Sequence, residues 1–285
     1  MDNIRGKSIV ITGAARGIGY ATAQALLARS ARVIIGDRDL DVLESAVAGI
    51  SSLGQVTGHP LDVTDKESFA AFLDKARADG GGQIDVLINN AGVMPVGPFL
   101  EQSVQAIRSS IEVNFYGVLT GCQLVLPEMV KRRSGHIINI ASLAGMVAVP
   151  GQIIYAGTKF AVVGLSTAMA DEFAPQGVKV TAVLPTFTNT ELISGTSPSA
   201  AQKPVEPSEI AAAIVKVLDK PKSRVSVPSW GKSFATVSTL LPDRGRRWLN
   251  KKMGNDGVFL NLDTTARRTY EDRAQHATGV VERKE

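Results

Sequence analysis

Three side chains in one stretch of this sequence could carry out acid–base chemistry together. They are Ser142, Tyr155 and Lys159, in the run Ser142-Leu-Ala-Gly-Met-Val-Ala-Val-Pro-Gly-Gln-Ile-Ile-Tyr155-Ala-Gly-Thr-Lys159. The pattern predicts a helix entered at about residue 154. Positions i and i+4 of a helix share a face, so Tyr155 and Lys159 lie one turn apart. An ammonium beside a phenol favours the phenolate and lowers the phenol's pKa. A tyrosine tuned in that way serves as a general acid or base. Ser142 follows an apolar run, residues 135–140, that reads as a strand, and its hydroxyl could sit beside the phenol. A bare Tyr-x-x-x-Lys is far more often a solvated surface pair, so the rest of the chain has to decide between the two.

The elements that must position these groups follow from hydrophobic period. Short β-branched or aliphatic runs at 7–12, 32–37, 54–61, 84–88, 136–140, 178–184 and 224–227 read as strands. Helical patterns fill the intervals at 20–29, 40–50, 65–78, 101–113, 114–132, 154–173 and 208–218. Continuously apolar strands alternating with helices predict an α/β fold, a doubly wound parallel sheet of Rossmann type with helices on both faces. Composition is even up to about residue 228, so residues 1–228 read as one domain and 229–285 as a helical C-terminal extension.

The first strand runs into Thr12-Gly13-Ala-Ala-Arg16-Gly17-Ile18-Gly19. Glycines there let backbone approach a pyrophosphate, and the following helix aims its free N–H groups at it. The spacing Gly-x3-Gly-x-Gly departs from the common Gly-x-Gly-x-x-Gly, and a ligand-free turn is the alternative. Asp37 ends the second strand, where a carboxylate can accept hydrogen bonds from adenosine ribose hydroxyls and repel a 2′-phosphate, favouring NAD. Arg16 and Arg38 pull toward NADP, since either guanidinium could pair with that phosphate.

Taken together, Thr12-Gly-x-x-x-Gly-x-Gly19, Asn89-Asn90-Ala91-Gly92, Ser142 and Tyr155-x-x-x-Lys159 resemble the short-chain dehydrogenase/reductase family over residues 4–227. The resemblance implies a nicotinamide cofactor and hydride transfer between it and an alcohol or carbonyl carbon. It implies that Tyr155 exchanges the proton, that Lys159 binds the nicotinamide ribose and depresses the tyrosine pKa, and that Ser142 orients the substrate oxygen. Asn114 matches the family's fourth active-site residue, which holds a relay water; a helix-start role is the alternative. Asp62 and Val63 match the pair that contacts adenine, although Asp62 could instead cap the next helix. Asn90, Ala91 and Gly92 match the segment along the adenosine ribose, and Ile18 belongs to the phosphate turn. After the sixth strand the family pattern is Pro-Gly with Thr four residues later; here it reads Pro185-Thr186-Phe187-Thr188-Asn-Thr190. Thr190 keeps the spacing for the nicotinamide carboxamide, with Pro185 and Thr188 beside it. Thr186 stands where a glycine is usual, which puts the local backbone geometry in question. A non-catalytic dinucleotide sensor or scaffold on the same fold is the competing function.

Residues 91–100 and 140–158 carry no charged side chain. Met94, Leu143, Val149, Ile153, Phe187 and Ile193 are the expected pocket walls, suited to an apolar alcohol or ketone such as a steroid, a retinoid or a fatty-chain compound. Burial in the core would explain the same composition. The Ser/Thr/Pro-rich run 186–208 reads as a lid over the substrate.

The formal charge of +4 belongs to the C-terminal part. Residues 229–285 hold eleven Lys/Arg against seven Asp/Glu, and the preceding part balances at twenty against twenty. Arg244, Arg246, Arg247, Lys251 and Lys252 surround Trp248, Leu249 and Met253, and 264–276 reads as a further helix. This extension could lie on an anionic membrane surface, cap the pocket, or pack against a neighbouring subunit of a homodimer or homotetramer. Mixed charge and sparse aromatics argue against nucleic acid. Three dispersed histidines, His59, His136 and His276, and a single cysteine, Cys122, argue against a metal site and an internal disulfide, and a cytoplasmic location is expected. Cys122, among leucines, reads as a buried thiol.

Overall fold

Seven short strands pair into one sheet in the computed structural model, the central ones buried on both faces and the edge strand Val56–Pro60 half-exposed. The structure describes residues 3–197 and 203–275. The strands are β1 (Ser8–Thr12), β2 (Arg32–Asp37), β3 (Val56–Pro60), β4 (Val86–Asn89), β5 (Gly135–Ile140), β6 (Val178–Pro185) and β7 (Arg224–Val227). They lie in the order β3-β2-β1-β4-β5-β6-β7, every neighbouring pair parallel. Alternation along β1 sends Ile9 and Ile11 to one face and Val10 to the other. The first face is covered by α1 (Gly17–Leu27), α2 (Leu40–Ile50) and α7 (Pro207–Asp219), through Leu26, Leu43 and Ile214 among others. The second is covered by α3 (Lys66–Gly80), α5 (Gly117–Lys131) and α6 (Ile153–Phe173), through Phe69, Val125 and Val162. The doubly wound α/β fold is therefore as the sequence predicts.

From β1 the chain builds outward to β3 and then returns to lay β4 on the other side of β1. Strand order reverses there, and an α/β sheet opens its ligand crevice beyond the carboxyl ends of the strands at such a point. Two local departures from expectation shape that crevice. Helix α1 starts at Gly17, so Gly17 and Gly19 belong to its first turn. The expected boundary between the helices at 101–113 and 114–132 is no loop: α4 (Val104–Ile111) runs into a π-helical turn, Glu112–Tyr116, and on into α5. Such turns insert one extra residue and re-aim a side chain, often at a functional site; here the side chain is Asn114.

Residues 153–176 are long and apolar enough, by composition, to cross a membrane. In this fold they contain α6, whose buried face carries Tyr155, Lys159 and Val162 against the sheet. The C-terminal part adds α8 (Gly231–Leu240), α9 (Asp243–Lys252) and α10 (Thr264–Gln275). His276, expected at the end of the last helix, lies outside the described residues, as does part of the run 186–208. A third cluster unites Met94, Val96 and Tyr155 with Val258 and Phe259, so the extension packs directly on the start of α6.

Candidate active site

Strand β5 leads into Ala141-Ser142, and the Ser142 hydroxyl accepts from the Ala144 N–H at 3.1 Å while donating to the Pro185 carbonyl at 3.4 Å. The Tyr155 phenol lies near enough to compete for that one proton. One turn along α6, the Lys159 Nζ donates to the Ile140 carbonyl at 2.9 Å and lies 5.6 Å from the centre of the Tyr155 ring. The three groups expected to act together are thus brought together. Their titration differs from expectation. Burial pushes the Tyr155 phenol up to about 12; the Ser142 hydroxyl pulls it down, and the nearby Tyr270 pushes it further up. Burial also pushes the Lys159 ammonium down to about 8. Lys159 therefore does not draw the phenol toward neutrality in the protein chain itself, because desolvation outweighs their attraction. At neutral pH the pair stands as phenol and ammonium.

Asn114 is fully buried. Its Oδ1 accepts from the Val93 N–H at 2.8 Å, and its Nδ2 donates to the Val93 carbonyl at 2.8 Å, to Thr158 Oγ1 at 3.2 Å and to Ser110 Oγ at 3.3 Å. The side chain thus ties the loop after β4 to α6 from behind the cavity wall. It does not cap a helix.

The crevice fits a dinucleotide. A Cβ on Gly13, which has φ +61°, would sit 2.7 Å from the Ala91 Cα, and one on Gly17 would sit 3.3 Å from Thr190 Cγ2. No side chain caps the first turn of α1, which leaves its N–H groups for an anion. Gly13, Arg16, Gly17, Ile18, Asp37, Arg38, Asp62, Val63, Asn90, Ala91 and Gly92 all line this part of the cavity. Gly19 does not. It lets α1 close on the strand behind, since a Cβ there would meet Asn90 Nδ2 at 2.6 Å. The Asn90 amide itself donates to the Thr12 and Gly13 carbonyls at 2.9 and 2.7 Å, so its side chain shapes the turn. Asp37 accepts from the N–H groups of Ala15, Arg38 and Asp39. Arg16 pairs with Asp39 at 2.6 Å and with Glu191 at 3.3 Å. Asp62 takes the Thr64 N–H and hydroxyl, while Asp65 caps α3.

The crevice is part of one cavity of ≈ 1190 Å³, more than the ~300–1,000 Å³ that holds one small ligand. Pro185, Thr188 and Thr190 line it, as do the expected wall residues Met94, Leu143, Val149, Phe187 and Ile193. Ile153 does not: it is 56% exposed. Positions i and i+2 of a helix are about 200° apart, so the turn that buries Tyr155 turns Ile153 outward. Thr186 carries no left-handed strain, since the positive-φ residues other than glycine are Ser30 and Arg133 among those described. Its N–H donates to the Val227 carbonyl at 2.9 Å, and Phe187 and Asn189 pair with Val205, so this flank of the expected lid is fastened down.

The rest of the wall comes from the C-terminal extension, through Trp230, Phe234, Phe259 and Tyr270. Phe259 stacks on Phe187 at 5.3 Å and 6°. Capping of the pocket, one of three roles the sequence left open, is thus the contact these residues make, while Arg244, Arg247, Trp248, Lys251 and Lys252 face outward. In sequence, Trp230 to Leu241 is an apolar, helix-compatible run that suits such packing, whereas nothing local marks Phe259 or Tyr270. Elsewhere, Cys122 is buried and its thiol pushed up to about 12 by burial. His136 is likewise buried, pushed down to about 3. Among the described residues no group of His, Cys, Asp or Glu could hold a metal ion.

Known proteins place this geometry. Residues 7–200 match the family model for short chain dehydrogenases. An uncharacterized oxidoreductase of Staphylococcus saprophyticus is 38% identical over 233 residues, 78% of this chain and 94% of the relative. One from Staphylococcus aureus is 37% identical over 216 residues, 76% and 92% of the two chains. In fold, the chain is similar to a short chain dehydrogenase/reductase from Burkholderia phymatum solved in complex with NAD. The TM-score is 0.77 at 24% identity, covering 84% of this chain and 95% of that one. With its parallel sheet, glycine turn and matched length, this chain belongs to the short-chain dehydrogenase/reductase family and is an oxidoreductase of that type.

Proposed function

We propose that the protein uses NAD(H) to interconvert an alcohol and a carbonyl on an apolar substrate. One observation carries this reading. The Tyr155 phenol, beside the Ser142 hydroxyl and one turn from Lys159, lines one cavity with the dinucleotide crevice and with Met94, Val149, Phe187 and Phe259. The bound nicotinamide supplies or accepts the hydride. Tyr155, held protonated by burial, gives its proton to the carbonyl oxygen as a general acid and recovers it from an alcohol in the reverse direction. The Ser142 hydroxyl steadies the substrate oxygen as charge develops on it. The Lys159 ammonium stabilises the phenolate left after proton transfer and would hold the nicotinamide ribose. Asn114 fixes the Val93 backbone and thereby the wall beside Gly92. Apolar walls exclude water and favour a steroid-, retinoid- or fatty-chain-like substrate.

NAD is favoured over NADP by the side chains at the adenosine end. The Asp37 carboxylate at the end of β2 would repel a 2′-phosphate, and Arg16 is engaged by Asp39 and Glu191. A panel of apolar alcohols and ketones assayed with both cofactors tests this directly. The wild type is expected to prefer NAD(H) by about tenfold or more in kcat/KM, and Asp37→Ser to lose most of that preference, each tenfold being ~1.4 kcal/mol. A wild type that prefers NADP(H) would remove Asp37 from this role.

A further inference from the structure

Among the described residues, a charged side chain with no exposed surface, Arg267 on α10, lies in the C-terminal extension. Its Nη1 donates to the Leu192 and Ser194 carbonyls at 3.1 and 2.9 Å, its Nη2 to the Met94 carbonyl, and its Nε to Glu271 Oε1 at 3.0 Å. The guanidinium also lies 4.7 Å from the centre of the Tyr270 ring. Tyr270 in turn accepts from the Met94 N–H at 2.7 Å. Two side chains of one helix therefore hold both backbone polar groups of Met94, and one of them also holds the loop 192–194. Backbone contacts reinforce the join: the Asp263 N–H donates to the Gly195 carbonyl at 2.9 Å, and a Cβ on Gly195 would come within 2.4 Å of the Asp263 carbonyl.

These tied segments are walls of the cavity. Met94 leads out of β4 beside the dinucleotide crevice, Leu192 and Ile193 belong to the loop after β6, and Tyr270 lines the cavity near enough to Tyr155 to affect its titration. Desolvating a guanidinium is costly, and an apolar side chain of similar volume would usually serve stability as well. What the guanidinium offers instead is a planar fork that meets several carbonyls at once. It can therefore fix two loops, which share no hydrogen-bonded strand with each other, at one separation.

We propose that Arg267 and Tyr270 are positioning residues that clamp the Met94 and 192–194 walls at the spacing that receives the apolar substrate opposite Tyr155. The proposal rests on the reading of Tyr155 as the reactive centre. Dinucleotide binding, carried by the glycine turn and Asp37 on the other side of the crevice, does not depend on the clamp.

Full-length wild type, Arg267→Gln and Tyr270→Phe are compared in two titrations and one assay. NADH is titrated by nicotinamide fluorescence. A fatty-chain ketone is then titrated into the NADH-loaded protein by emission of Trp230, which lines the cavity. Turnover of the same ketone is followed separately. Arg267→Gln is expected to weaken ketone binding and raise its KM about tenfold or more, with NADH affinity within twofold and kcat within about threefold. Tyr270→Phe keeps the ring and removes the acceptor for Met94; it is expected to move ketone affinity the same way by about threefold, and it serves as the test if Arg267→Gln does not fold. Weakened ketone binding at intact NADH affinity supports the clamp whether or not the wild type turns the ketone over, so failure of the catalytic reading shows separately, as binding without turnover. Unchanged ketone affinity in the variants, or a wild type that takes up no ketone, overturns the clamp.

Discussion

Replacing Tyr155 by Phe is expected to lower the rate of carbonyl reduction by roughly 10³-fold, within the span measured for loss of a positioned general acid, while NADH affinity stays the same. The ring fills the same volume, so packing against Met94 and Phe259 is kept; only the hydroxyl and its contact with Ser142 are lost. Of the other protic groups nearby, Lys159 is bound to the Ile140 carbonyl at 2.9 Å and the Tyr270 oxygen to the Met94 N–H at 2.7 Å. Steady-state kinetics beside a fluorescence titration of NADH check the split. Turnover retained within tenfold would show that the proton comes from elsewhere.

Lys159→Met is expected to act in opposite directions on function and stability. Removing the ammonium removes the group that stabilises the phenolate, and kcat/KM should fall by about 10²-fold or more. Stability should rise at neutral pH. The folded protein holds this lysine at about 8, down from the ordinary 10.5, because burial penalises the charge. At 1.36 kcal/mol per pH unit that amounts to ~3 kcal/mol, offset by about 1 kcal/mol for the lost bond to Ile140. Below pH 8 both folded and unfolded chains carry the proton and the cost of burial is fully present. Between about 8 and 10.5 the unfolded chain binds more protons, so wild-type stability rises with pH. The advantage of Lys159→Met, ~2 kcal/mol at pH 7, should therefore shrink through that window and vanish above it. Urea unfolding of both proteins across pH measures the difference. The same ionisation predicts that wild-type reduction falls as pH rises through about 8. A variant no more stable than wild type at pH 7 would mean the ammonium is not held at a cost.

How much of this was legible in the sequence depended on how local each feature is. The central strands announced themselves because a strand buried on both faces carries a continuous apolar run, as Ile9-Val10-Ile11 does in β1. Tyr155 and Lys159 could be paired because one helical turn fixes their relation regardless of tertiary context. Ile153 was misassigned to the pocket because the helix phase, about 200° from Tyr155, was outweighed by its apolar character. Thr186 looked strained only while its φ was unknown. The direction of the Tyr155 shift was missed because spacing shows which charges are near and says nothing of depth. Arg267 was the least legible. In sequence it is one charge in a mixed-charge amphipathic run, and its burial is decided by Met94, which lies 173 residues away.

The most direct test of the central claim follows one atom. Wild-type protein is incubated with NADH deuterated at both C4 positions and an apolar ketone, fatty-chain or steroid, and the product is analysed by mass spectrometry. The account predicts an alcohol with a single deuterium on the carbinol carbon. No alcohol, or an alcohol without deuterium, from protein that binds NADH would contradict it and leave a dinucleotide-binding sensor or scaffold on the same fold.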